Sequence, residues 1–430
     1  MRNSRSFPLL VAGCLMLAAG AAYGSGFSIY EAGSKATALG CAFTATADDG
    51  SAIFYNAAGL SFQTGRSVDI SAVAVLPNFK FAGQLSKTGP LETGESESKT
   101  YLVPGAYYTA NPGGKLAYGI GAYAPFGLGV VWQDPETWVG RRISHDVQIQ
   151  TVYITPAVSY MAADGLALAF GLDFAHQSLE LSRFTPEPQF GENAISSKLD
   201  GSSDWNITPS LGAMYRPNEK VSLGVMYHFK KTMKYTDGTA TLTPVAPGND
   251  PWGDTVVGAL GAENSLSSEL NLPDMLSLGI AYQFHPKFRG EFNYVRFGWS
   301  TFESLKLAFS NPALDQEFTF NYENSWQIRF GFDYQLNEAW NVMAGYVHDK
   351  TPQPLKAVSP LLPDSDRNDY SLGILWKKGQ WTFNASYMVV IGTERTNIEG
   401  GEPVRETTDY PFGTYSSLAN LFGLGAAYNF

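Results

Sequence analysis

Large apolar residues alternate with small or polar ones at a period of two along most of this chain, and that pattern narrows the available folds more than any other feature. Leu276, Leu278, Ile280, Tyr282 and Phe284 interleave with Ser277, Gly279, Ala281 and Gln283. Trp326, Ile328, Phe330, Phe332 and Tyr334 repeat the pattern against Gln327, Arg329, Gly331, Asp333 and Gln335. An extended strand sends successive side chains to opposite faces, so each segment predicts a strand with one apolar face. Residues 166–174, 221–229, 340–346 and 381–391 behave alike. In a soluble sandwich the apolar face would be core. Here many strands begin or end in Trp, Tyr or Phe, as girdles at the two interfaces of a membrane require.

The amino terminus points the same way. Arg2 and Arg5 precede an apolar run over 7–22, and Ala22-Tyr23-Gly24 supplies small residues where a signal peptidase cuts. Val11-Ala12-Gly13-Cys14 resembles a lipoprotein box, yet the apolar run continues beyond Cys14, so cleavage after Gly24 is the reading adopted. Cys41 is then the one thiol left, and no intramolecular disulfide can form. Lys and Arg number 29 against 40 Asp and Glu, a balance opposite to what a nucleic-acid backbone attracts. Beyond the leader no stretch reaches the roughly 18 to 20 apolar residues of a membrane helix, which leaves strands as the spanning elements.

Turns count the strands. Six short connections, at 111–115, 163–165, 217–220, 285–287, 337–339 and 377–380, join alternating segments. Long irregular stretches separate them, at 85–99, 125–146, 185–205, 242–269, 308–320, 351–367 and 392–415. Short turns on one rim and long loops on the other is the outer-membrane arrangement. Six turns join twelve strands, and one further strand at each end makes 14. The last segment alternates through Phe422, Leu424, Ala426, Tyr428 and Phe430 to the carboxyl terminus, a pattern resembling the signal read by barrel-assembly machinery. Residues 25–65 do not alternate, yet Phe27, Ile29, Phe43, Ile53 and Phe54 are too apolar for a disordered tail, so this segment is read as a plug. The expectation is an all-β protein, a 14-stranded antiparallel transmembrane β-barrel with an amino-terminal plug, or hatch, in the lumen: leader 1–24, plug 25–65, barrel 66–430.

Several motifs, in order along essentially the whole mature chain, resemble the FadL family of outer-membrane transporters of long-chain fatty acids and hydrophobic compounds. They are Gly26-Phe27, Ala47-Asp48-Asp49 and Asn56-Ala57-Ala58-Gly59-Leu60 in the plug, then Ala124-Pro125-Phe126-Gly127 with Trp138-Val139-Gly140-Arg141. Leu272-Pro273-Asp274, Trp299-Ser300-Thr301-Phe302 and Pro363-Asp364-Ser365-Asp366-Arg367 follow. One departure is Ala57, which stands where the family usually has Pro. The resemblance implies passive uptake: capture in a greasy groove between the third and fourth outer loops, transfer to an internal site, and sideways release through a wall gap by strand three. Gly26, Phe27, Asn56, Ala57 and Ala58 would belong to the gating plug, and Tyr428 with Phe430 to the assembly signal.

An exposed apolar patch marks a binding surface, which makes Phe190, Ile195, Leu199, Trp252, Val256, Val257 and Leu260 the candidate groove; the alternative is that these residues pack loop on loop. A fatty-acid carboxylate taken out of water needs a cation. Arg183 and Lys306 match family residues in that role, or else are wall cations paired with acids such as Glu180 and Glu303. Neutral aromatic hydrocarbons are the alternative cargo, and a polar porin lacking a plug is the competing transporter. An enzyme is disfavoured: His145, His176, His228, His285 and His348 are scattered, no metal-ligand spacing occurs, and no Gly-x-Ser-x-Gly elbow is present. No cofactor, metal or nucleic acid is expected. The expected partners are a hydrophobic small molecule, outer-membrane lipid and the assembly machinery, with the protein a monomer in a Gram-negative outer membrane.

Overall fold

The computed structural model describes residues 26–189, 191–405 and 410–430. The leader and Phe190 lie outside them. Fourteen antiparallel strands form one closed wall. They are β1 (Gly65–Gln84), β2 (Tyr101–Asn111), β3 (Leu116–Tyr123, resuming as Gly127–Val131), β4 (Asp146–Ala163) and β5 (Leu166–Pro186). Next come β6 (Asn193–Ser202, then Asn206–Tyr215), β7 (Val221–His228, then Lys231–Pro244) and β8 (Glu263–Leu272, then Met275–His285). The remainder are β9 (Phe288–Phe297, then Ser304–Phe309), β10 (Gln316–Thr319, then Ser325–Gln335), β11 (Trp340–Asp349), β12 (Arg367–Lys378), β13 (Trp381–Gly392) and β14 (Phe412–Asn429). Each pairs with the next, and β1 closes on β14 in an unbroken ladder from Ser67↔Asn429 to Gln84↔Phe412. Closure matters because lipid offers no partners to an open strand edge.

The faces are those of a membrane barrel. Leu278 and Ile280 are 41% and 47% exposed on the outside, whereas Ser277 and Ala281 on the lumenal side are 4% and 2% exposed. Outward aromatic residues form a belt at the short-turn rim, with ring pairs Phe284–Phe288, Trp340–Trp376, Trp376–Phe383, Trp381–Tyr428 and Tyr428–Phe430 at 4.8–5.8 Å. The final residue is held there by its N–H, which donates to the Arg66 carbonyl at 2.8 Å.

The stretches expected to be irregular at 185–205, 242–269 and 308–320 contain strand at their ends or through much of their length, because β5 to β10 run on past the apolar belt. Ser182, Ser196, Ser197 and Lys198 in that extension carry no apolar alternation, so the pattern fades while the ladder continues. Likewise β3 resumes as Gly127–Val131 inside the expected loop at 125–146. Within 242–269 one helix forms, α3 (Pro251–Leu260), started by the Asp250 side chain accepting from the Trp252 N–H at 3.0 Å with Pro251 in the first turn.

Residues 26–64 precede the wall and lie inside it. Their helices α1 (Ser34–Ala38) and α2 (Ala52–Tyr55), with the 3-10 turn Ala57–Phe62, are almost wholly buried. The wall's small face is their seat. A Cβ on Gly345 would lie 2.0 Å from the Gly40 nitrogen, and one on Gly224 would lie 2.1 Å from the Thr44 carbonyl oxygen. Glycine lets plug backbone rest directly on wall backbone.

Candidate functional site

Polar lumenal side chains bind the plug through its backbone. Asn293 accepts from the Phe43 and Thr44 N–H groups at 2.9 and 3.1 Å, and Glu291 accepts from the Ala45 N–H at 2.7 Å. Arg329 donates to the Cys41 carbonyl at 3.0 Å, while Ser371 accepts from Gly40 and donates to Ala38. Asn56 joins three segments: its amide donates to the Thr44 and Ala213 carbonyls, both at 2.9 Å, and its oxygen accepts from the Ala58 N–H. Ala57 and Ala58 are buried in the turn that Asn56 begins, which forms here without proline. At the lower end Asp48 sits between Lys35 and Arg289, at 2.6 and 3.3 Å. Burial opposes ionisation of Asp48, yet the two cations hold its carboxyl well below the ordinary range.

Above the plug the lumen changes character. An internal cavity of ≈ 50 Å³ is lined by Leu128, Val147, Ile149, Leu179, Leu181 and Leu199 on one side, and by Leu266, Leu270, Leu305, Leu307, Phe318 and Phe320 on the other. Asp200 is the one charged residue lining it among the described residues. Phe27 reaches its floor, with ring centroids 4.7 Å from Trp299, 5.7 Å from Phe302 and 6.2 Å from Phe126. Gly26 makes that approach possible. Its φ is +68°, and a Cβ there would meet the Trp299 ring at 2.8 Å. The Gly26 N–H donates to Asp364 at 3.2 Å, so the plug's start is tied to an outer segment that folds inward and brings Leu361 and Leu362 to the cavity.

The wall is incomplete beside that floor. The β2–β3 ladder ends at Gly105↔Tyr123, and β3 resumes at Gly127 laddered with β4, meeting the β1–β2 connection only at its far end, where the Glu97 N–H donates to the Val131 carbonyl at 2.7 Å. The plug fills the break in β3: Ser28 bridges to Phe126, the Ile29 N–H donates to the Pro125 carbonyl at 2.8 Å, and the Gly127 N–H donates to the Phe27 carbonyl at 2.9 Å.

The expected site residues separate into groups. Leu199 lines the cavity. Ile195 and Val257 are buried instead in an outer cluster with Ala194 and Leu242, against which Trp252, Val256 and Leu260 pack half-buried. Arg183 shares its strand face with Leu179 and Leu181, donates to Gln316 at 2.8 Å, and lies 6.0 Å from the ring of Phe318. Lys306 is turned away: Leu305 and Leu307 on either side face the cavity, so strand alternation sends its side chain outward, 75% exposed and 3.7 Å from Glu317. Leu199 and Phe27 apart, the apolar liners are absent from the expected set, yet they carry a signal. Along β5 the lumenal positions read Ala167, Ala169, Gly171, Asp173, Ala175 and Gln177 over the plug, then Leu179 and Leu181.

A closed wall of this strand number, a plug and an apolar chamber define an outer-membrane channel for hydrophobic compounds. Residues 15–430 match the family described as "Outer membrane protein transport protein (OMPP1/FadL/TodX)", and the chain belongs to that family. It is an outer-membrane transporter of hydrophobic compounds in Gram-negative bacteria, not an enzyme. Outer membrane protein P1 of Haemophilus influenzae is 25% identical over 98% of both chains. The long-chain fatty acid transport protein of Escherichia coli is 20% identical over 95% of both. In solved structures the fold is shared with a Pseudomonas aeruginosa FadL homologue (TM-score 0.80, 21% identity, 94% of this chain and 100% of that one). It is shared also with the Pseudomonas putida toluene transporter TodX (TM-score 0.69, 17% identity, 94% and 99%).

Proposed function

We propose that this protein takes up long-chain fatty acids or similar elongated amphiphiles, by loop capture, binding in the internal cavity, and plug-gated release sideways where β2 and β3 part. The observation that carries the reading is the apolar internal cavity, whose leucine-rich lining suits an alkyl chain. Apolar area removed from water is worth roughly 25 cal/mol per Å², so the lining supplies affinity without directional bonds. Half-exposed Trp252 and Val256 on α3 are the proposed capture surface, and Arg183 beside Phe318 the proposed contact for a carboxylate. Release past Phe27 requires the plug contacts at Pro125 and Gly127 to open. Transport then needs no energy source, only a gradient. Because the wall closes within one chain, a monomer suffices, and Tyr428 with Phe430 is the proposed assembly signal on the closing strand.

The test compares oleate with toluene on the purified protein and on Arg183→Met, which keeps bulk and removes charge. Loss of a charge-assisted hydrogen bond, at roughly 1.5 to 3 kcal/mol, should weaken oleate about tenfold or more and leave toluene unchanged. An unmodified protein that binds toluene but not oleate sinks the fatty-acid reading. Neutral aromatic hydrocarbons are the second reading, favoured by a cavity lining in which Asp200 is the single charged residue among those described.

A further inference from the structure

A second, smaller cavity of ≈ 20 Å³ lies beyond the Phe27–Phe126–Trp299 aromatic cluster, next to the break in β3. Consecutive plug residues divide the two chambers: Phe27 lines the upper one and Ser28 the lower. The lower chamber is lined by Pro125, Tyr153 and Phe54, and by a buried polar group on β7 that plug binding leaves unexplained.

Two hydroxyls mark it out. Ser28 and Tyr153 are each 2% exposed, and among the described residues neither the Ser28 Oγ nor the Tyr153 OH has a hydrogen-bond partner. Buried polar groups are nearly always paired, because an unmade bond carries the full desolvation cost. Beside them stands Lys231, 4% exposed, its ammonium 4.8 Å from the centroid of the Tyr153 ring. Two of its three donors are engaged, by Asp173 at 3.0 Å and by the Phe229 carbonyl at 3.3 Å. Asp173 is held back from the chamber by that lysine, by the Thr155 hydroxyl at 2.9 Å and by His228 at 3.3 Å. His228 is itself committed, since its other ring nitrogen meets the Phe54 carbonyl at 2.9 Å. Around the chamber there remain two hydroxyls and the third ammonium N–H.

We infer that this lower chamber is a second binding site, which takes the carboxyl head of a long-chain fatty acid after the head has passed the aromatic cluster. The inference rests on the fatty-acid reading above. Two carboxyl oxygens match the Ser28 and Tyr153 hydroxyls, and Lys231 supplies the charge-assisted contact. A hydrocarbon has no atom to offer these donors. The head would then lie beside the β3 break while the alkyl chain still occupies the upper cavity.

The test is the double variant Ser28→Ala with Tyr153→Phe in the full-length protein, which removes two unpaired oxygens and breaks no hydrogen bond of the fold. Affinities for oleate and for 1-octadecene are measured together with the infrared carboxyl band of oleate labelled with carbon-13 at its head. Support would be oleate affinity reduced about tenfold, 1-octadecene unchanged, and a shifted carboxyl band. An unchanged oleate to octadecene ratio overturns the site and leaves the chamber to water. Lys231→Met combined with Asp173→Asn, which removes both members of the ion pair together, should give the same selective loss. If the unmodified protein binds oleate and both variants match it, only this site falls; if the unmodified protein binds no oleate, the fatty-acid reading falls with it.

Discussion

The lower and upper halves of the same lumen are built on opposite principles. Below, wall side chains such as Asn293, Glu291, Arg329 and Ser371 reach plug backbone through directional hydrogen bonds, and glycines bring backbone onto backbone. Above, the wall presents Leu, Ile and Val to a chamber with almost no polar lining. Directional bonds fix one partner in one register, which suits a plug made with the chain. Apolar burial is non-directional, which suits a cargo that must slide and leave. The lesson is that one barrel can hold a permanent occupant and a transient one by changing only which residues occupy its inward positions.

The severest way to break this comparison is to delete residues 26–60. The lower half should then become a water-filled pore, giving large, steady conductance in planar bilayers where the intact protein conducts little. Equal conductance in both would mean that the plug does not seal the wall. A gentler break is Gly345→Ala, whose new Cβ would meet the Gly40 nitrogen at 2.0 Å. Overpacking of this kind should cost about 1–3 kcal/mol in denaturant unfolding and raise channel flicker. The matching change in the upper half, Leu181→Phe, should behave the other way round. Filling the cavity should weaken oleate about tenfold, about 1.4 kcal/mol, while unfolding changes by less than that. Were Gly345→Ala harmless to stability, or Leu181→Phe more damaging than it, the division into seat and chamber would be wrong. The smallest expected effect is from Ala57→Pro. Ala57 opens a 3-10 turn after Asn56, whose extended backbone (φ −173°, ψ 99°) already lies outside the α region that a following proline disfavours. Stiffening should add about 0.4–1 kcal/mol in the same unfolding assay with oleate affinity unchanged.

Much of this was legible in one dimension. Alternation at 276–284 and 326–335 identified strands and their outward faces, because side-chain direction in a strand is a local property. Turn chemistry counted the wall, and Phe27, Ile53 and Phe54 in a segment without alternation marked it as one that had to be buried. Even the change from Ala169, Gly171 and Asp173 to Leu179 and Leu181 was present in the sequence, although its meaning was not. Only closure of the barrel decided the rest. It set Leu181 on β5 and Leu307 on β9 around one cavity, and it turned Lys306 outward because its neighbours Leu305 and Leu307 face in. It also brought Ser28 of the plug beside Tyr153 and Lys231, and it gathered Ile195 and Val257 into an outer cluster of their own. These contacts join residues far apart in the chain, and which of them meet depends on strand register and barrel curvature, quantities that no local stretch of sequence contains.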